Sequence, residues 1–111
     1  MACGKWDIQG LDVSGHQPSA IDWGRVRDAG NRFCWVKATE GRTYNSPKDQ
    51  AQASGAAAAG LAVGLYHFSR PHTGASNLEQ DARLEAEWFL RASAEHELSL
   101  PACLDLEAGE K

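Results

Sequence analysis

The run Phe33-Cys34-Trp35-Val36 is apolar without interruption. Such a run suits a strand covered on both faces, as in a parallel sheet. Parallel neighbours need a long crossover, usually a helix, and the chain supplies one between each pair of strand-like segments. Ile8 to Val13 reads as a first strand, Arg32 to Ala38 as a second, Leu61 to Phe68 as a third and Leu100 to Leu106 as a fourth. Between the first two, Asp22 is a suitable N-cap for a short helix that ends at Gly30-Asn31. Thr39 to Asn45 reads as a polar loop. Ser46 and Pro47 then have the residue types of an N-cap and first helical position. The Ala-rich helix that follows stops at Gly60. Ser76 and Glu79 have capping-box spacing, and a long helix runs from them to about His96. Leu78, Ala82, Ala86 and Phe89 fall on one side of it, with Leu84 and Trp88 in a strip alongside. The order β-α-β-α-β-α-β predicts an α/β fold with right-handed crossovers.

The chain has 111 residues, enough for a single domain over 1–111. Its formal net charge is −4 and it has no Lys/Arg run, which disfavours nucleic acid as a partner. No apolar stretch approaches the roughly 20 residues of a membrane span. Met1 to Trp6 has no apolar signal region. Three cysteines, Cys3, Cys34 and Cys103, do not make a complete disulfide framework. Cys34 and Cys103 lie in apolar runs and are expected to be buried thiols. The four histidines, His16, His67, His72 and His96, lack metal-ligand spacing, so no metal and no cofactor is expected.

Ligands in parallel α/β folds bind at the carboxyl ends of strands. Here those ends carry Asp12, then Lys37 and Glu40, then Tyr66 and His67 with Arg70 close behind, then Asp105 and Glu107. Asp105 and Glu107 are two apart, so on a strand they share a face, with Cα atoms roughly 6.6 Å apart, while Leu104 and Leu106 face the other way. Apolar neighbours would desolvate at least one of the acids and raise its pKa, as a general acid in glycoside hydrolysis requires. Acids and aromatic rings on one rim suit a polysaccharide cleft. Lys37 can either pair with a nearby acid or contact a ligand, and Glu40 can be a solvated loop residue or part of the site. His67 reads as a hydrogen-bonded structural histidine, and Trp23, Trp35, Trp88 and Phe68 as core. No dinucleotide fingerprint, Walker loop or G-x-S-x-G elbow is present.

The segments Gly10-Leu11-Asp12-Val13-Ser14, Ile21-Asp22-Trp23, Val36-Lys37-Ala38-Thr39-Glu40-Gly41, Gly60 to Phe68 and Leu104-Asp105-Leu106-Glu107 together resemble the glycoside hydrolase family 25 lysozymes, or N-acetylmuramidases. The resemblance runs from about residue 9 to 107. It implies a parallel β/α, TIM-like barrel, of which this chain would hold the first four strands and three helices. It implies cleavage of the β-1,4 bond between N-acetylmuramic acid and N-acetylglucosamine in peptidoglycan. By position, Glu107 would be the general acid. Asp105 would orient the substrate's N-acetyl group or act as second carboxylate, and Asp12 would tune both from the cleft floor. Lys37, Glu40 and Tyr66 would line a sugar subsite. Family domains are nearly twice this long, so the chain is expected to be a fragment, a piece of a split enzyme or a decayed copy. Its expected partners are peptidoglycan and, for a split enzyme, a second polypeptide that completes the barrel. A cell-wall binding module without cleavage, or an assembly fragment, are the rival readings. Lacking a signal peptide, the protein would be made in the cytoplasm and reach the wall by phage-type lysis or another route.

Overall fold

The computed structural model describes residues 8–71 and 77–107. Its elements are β1 (Gln9–Val13), α1 (Trp23–Asp28), β2 (Asn31–Glu40), β3 (Tyr44–Asn45), α2 (Asp49–Ala58), β4 (Ala62–Phe68), α3 (Leu78–Ser93) and β5 (Cys103–Asp105). The sheet order is β1-β2-β4-β5, with every neighbour parallel. This is the parallel α/β frame expected from the alternation of apolar runs and helices; the barrel itself is implied only by the family resemblance.

The short helix α1 starts as its sequence predicts. Asp22 Oδ1 accepts the Arg25 main-chain N–H at 3.2 Å, and Gly30 beyond the helix takes φ +107°. A residue with a Cβ is strained at that angle. The long helix α3 is capped by Asn77, whose side chain accepts from Gln80 N–H at 2.9 Å. The expected cap, Ser76, lies outside the described residues. Glu79 and Asp81 in its first turn and Arg91 in its last oppose the helix dipole in the favourable sense.

Several boundaries differ from expectation. The segment 39–45 is not simply a loop: β2 continues to Glu40, and Tyr44–Asn45 fold back antiparallel on Thr39 and Glu40. Ser46 does not cap α2. Its own N–H is drawn onto Ala38 O at 2.8 Å by that fold-back, and the helix begins after Lys48. The last helix ends at Ser93 rather than His96, and the last strand is only Cys103–Asp105. Before it, the Ser99 and Leu100 N–H groups are both occupied by Val63 O, which holds that stretch out of the ladder.

The core lies between the sheet's outer face and the helices. Cys34, Val36, Ala38, Val63 and Leu65 from the central strands meet Trp23, Ala53, Ala56 and Phe89 from the helices. Small residues let α2 approach closely. At Gly55 a Cβ would lie 2.5 Å from the Trp23 ring.

The inner face is built differently. A Cβ at Gly10 would lie 2.3 Å from the Phe33 ring, and one at Gly64 would lie 2.7 Å from Trp35 Nε1 and 2.9 Å from Leu100 Cβ. Phe33 and Trp35 meet edge to face, their centroids 5.4 Å apart. Each ring thus lies over a glycine of the adjoining strand. Trp35 is half-buried rather than core, flanked on this face by Leu100 and Pro101; its Nε1–H donates to Pro101 O at 3.3 Å. Phe68 is half-buried on the same side. Trp88 is half-buried too, as its Nε1–H reaches outward to Tyr44 O. The side of α3 carrying Leu78, Ala82 and Ala86 is also exposed rather than packed, and only Phe89 of that row is buried.

Gly64→Ala should therefore destabilise the fold by about 1–3 kcal/mol through overpacking. Gly24→Ala, whose Cβ would meet only Asp22 Oδ1 at 3.6 Å, should be neutral or stabilising by up to about 1 kcal/mol. Urea denaturation of the two variants checks the contrast.

Candidate active site

The strand register brings the predicted residues into rows. Asp12 pairs with Trp35, Lys37 with Tyr66, Tyr66 with Cys103, and Phe68 with Asp105. Asp12, Tyr66, Asp105 and Glu107 line one concavity of about 460 Å³, floored in part by Trp35. It opens at the carboxyl ends of the parallel strands, where the sequence places it. Tyr66 is buried. Its hydroxyl pKa is raised by burial first, and then by the negative charges of Asp12, Asp105 and Glu107. The phenol therefore keeps its proton and is a hydrogen-bond donor toward the concavity.

The expected desolvation of the acids is not found. Asp12 and Glu107 are exposed and Asp105 is half-buried. Leu104 and Leu106 do face away from the acids, but they are themselves 63% and 68% exposed and cover nothing.

Lys37 and Glu40 do not line this concavity. They form a neighbouring charged cluster on the same rim. The β2–β4 register shifts between Lys37 and Thr39, so Lys37 pairs with Tyr66 and Glu40 with Phe68 although they are three residues apart. A bulge of this kind re-aims side chains. One Glu40 oxygen accepts from Lys37 Nζ and the other from Arg70 Nε at 2.6 Å. Lys37 Nζ lies 5.0 Å from the Phe68 ring centroid and 5.3 Å from that of Tyr44. Burial by itself would raise the Glu40 pKa, but the hydrogen bonds from Lys37 and Arg70, with their charges, outweigh it and hold the carboxyl below its ordinary range.

Behind this cluster is a buried polar relay. His67 Nδ1 lies 2.7 Å from Thr39 Oγ1, and its Nε2 lies 2.8 Å from Glu85 Oε1. The same Glu85 oxygen accepts the Arg70 main-chain N–H at 3.2 Å. His67 is thus the structural histidine its sequence suggests, and it ties β2, β4 and α3 to the start of the Arg70 loop. Glu85 gives no sequence signal beyond an acid among helix residues. Two further supports were equally hidden. Fully buried Gln52 donates to Ser14 O at 2.9 Å and Pro18 O at 3.1 Å, and Lys48 Nζ donates to Gly15 O at 2.8 Å. Together they pin the turn that follows Asp12. A Gln and a Lys near an Ala-rich stretch look solvated until the fold turns them inward.

The two described thiols part company. Cys34 is buried, with a pKa pushed up to about 12 by burial and then by the Asp12 charge. Cys103 is exposed rather than buried, because the inner face of its strand is open.

The sequence profile of the family described as Glycosyl hydrolases family 25 matches residues 11–111. The chain belongs to this family. It is 35% identical over 102 residues to lysozyme M1 of Streptomyces globisporus, a match spanning 90% of this chain and 33% of that protein. A family 25 glycosyl hydrolase from Bacillus anthracis superposes with a TM-score of 0.82 at 26% identity, over 99% of this chain and 47% of that one. A muramidase from Trichobolus zukalii superposes with a TM-score of 0.75 at 35% identity, over 92% and 47%. The chain therefore spans less than half the length of these relatives.

The depressed Glu40 pKa has a definite sign in stability. As pH falls, the unfolded state takes up the proton first. The contribution is complete above the ordinary value of 4.5 and is lost as pH falls through the lower folded value. Glu40→Gln should accordingly flatten the loss of stability on the acid side of pH 4.5. Urea midpoints of parent and variant across that range measure it.

Proposed function

We propose that this chain forms one half of a peptidoglycan cleft that cleaves the β-1,4 bond between N-acetylmuramic acid and N-acetylglucosamine once the rest of the barrel is in place. The observation that carries this reading is the convergence of Asp12, Tyr66, Asp105 and Glu107 on one concavity at the strand ends. In this reading Glu107 protonates the leaving oxygen. Asp105 orients the substrate's N-acetyl group as it attacks the anomeric carbon, or serves as the second carboxylate. Asp12 adjusts the field at both acids, and Tyr66 donates a hydrogen bond from a hydroxyl that stays protonated. Lys37 and Glu40, braced by Arg70, border the adjoining sugar subsite beside the Phe68 ring. The protein meets its substrate in the cell wall after release by lysis or by another route.

A general acid works best where burial favours its protonated form, and Glu107 is exposed. The opposing wall that would desolvate Glu107 is then supplied by the other half of the barrel, on the same chain or on a second polypeptide. The exposure of Asp12 and Glu107 favours a second reading for the chain by itself: it binds peptidoglycan without cutting it.

Co-sedimentation with insoluble peptidoglycan and release of reducing ends test both. The 111-residue chain should pellet with the wall and release almost no reducing ends. With the remaining barrel half joined to it, cleavage should appear, and Glu107→Gln should lower it by about 100-fold or more while leaving binding in place. Absence of binding would remove the cleft. Clearance by the chain alone at an ordinary lysozyme rate would remove the requirement for a second wall.

A further inference from the structure

The rim at the carboxyl ends of the strands carries two charge patches of opposite sign. Asp12, Asp105 and Glu107 line the acidic concavity. Beside them, Lys37 and Arg70 share the one carboxylate of Glu40, so that patch keeps an excess of positive charge. Arg70 is anchored on several sides. Its main-chain N–H donates to Glu85 Oε1 at 3.2 Å, and the N–H of the preceding Ser69 donates to Asp105 O at 3.0 Å. Its stem passes Gly41, where an added Cβ would lie 3.5 Å from Arg70 Cβ. Its guanidinium carbon is 5.9 Å from the Phe68 ring centroid, and its Nε donates to Glu40 Oε2 at 2.6 Å. The side chain is still 44% exposed. Among the described residues only Nε of the guanidinium is engaged. The edge carrying Nη1 and Nη2 is left, and its fork geometry matches a carboxylate.

The substrate proposed above supplies such a group. N-acetylglucosamine is uncharged. N-acetylmuramic acid differs from it by a lactyl ether, which ends in a carboxylate or carries a peptide that does. In the acidic concavity that carboxylate would meet like charges, whereas beside Arg70 it meets opposite charge. We propose that Arg70 is a specificity-determining residue that binds the carboxylate on the lactyl–peptide arm of N-acetylmuramic acid. It thereby sets which sugar occupies the subsite beside Phe68. Lys37 adds positive charge to this subsite, and Glu40 holds the guanidinium with its free edge available. The proposal rests on the peptidoglycan reading above and extends it from the bond that is cut to the arm beside that bond.

The test titrates the full chain calorimetrically with the N-acetylglucosamine–N-acetylmuramic acid disaccharide and with its methyl ester, which removes the charge and keeps the sugars. A second pair, the same disaccharide carrying L-alanyl-D-isoglutamine and the methyl ester of that dipeptide, moves the carboxylate onto the peptide. The acid should bind about tenfold more tightly than its ester in at least one pair. A preference in the first pair assigns the lactyl carboxylate, and one in the second assigns the peptide carboxylate. Arg70→Gln should bring acid and ester to equal affinity; a loss of folding would abolish the binding of both instead. Arg32→Gln, at the amino end of β2, removes the same charge and should leave the preference intact. Equal affinity of acid and ester in both pairs, or a preference that survives Arg70→Gln, overturns the proposal and leaves the cleft standing. Failure of every ligand to bind removes the cleft and the proposal with it.

Discussion

The pairing of β2 with β4 is the interaction on which the rest of the structure depends. It joins the two strands whose outward side chains, Cys34, Val36, Ala38, Val63 and Leu65, form the centre of the core. Its register puts Trp35 opposite Gly64 and so makes room for the indole on the inner face. The shift between Lys37 and Thr39 then divides the upper end of the pair. Thr39 meets His67 in the buried relay, while Lys37 and Glu40 meet each other on the rim. Without that irregularity, residues three apart on a strand would point to opposite faces. One ladder therefore sets the core, the floor of the concavity and the charged cluster beside it.

The two faces of the sheet are in different physical states. Under the helices the outer face is close-packed, and both ring nitrogens of buried His67 are paired. The inner face carries rings laid over glycines, and acids that are exposed or half-buried. Burial of a carboxyl favours its protonated form. The chemistry proposed for Glu107 thus depends on what stands opposite it, and the same open frame leaves leucines uncovered beside β5. Both features sit at one place: among the described residues the parallel sheet ends at β5, whose partner is β4.

Much of this was legible in the sequence because it rests on period and punctuation. Apolar runs gave the strands of the main sheet, Asp22 gave a true cap, and four of the six predicted site residues meet in one concavity. What escaped depended on long-range packing. The fold-back of Tyr44–Asn45 takes Ser46 N–H for Ala38 and so cancels the local capping signal at Ser46 and Pro47. The register shift that unites Lys37 with Glu40 has no sequence mark. Gln52, Lys48 and Glu85 carry no motif, and their roles exist only once Ser14, Gly15 and His67 are brought to them. The expected burial of Cys103 and of the apolar side of α3 assumed a neighbour that the described residues do not include.

The central claim is that the strand ends of β1, β4 and β5 form a sugar site around Asp105 and Glu107. The most direct measurement is a ¹⁵N NMR titration of the chain with the N-acetylglucosamine–N-acetylmuramic acid disaccharide. The account predicts saturable shifts at the Trp35 indole N–H and at the amides of Asp12, Tyr66, Asp105 and Glu107, with the α2 surface unmoved. Shifts confined to other surfaces, or none at these residues at saturating disaccharide, would contradict it.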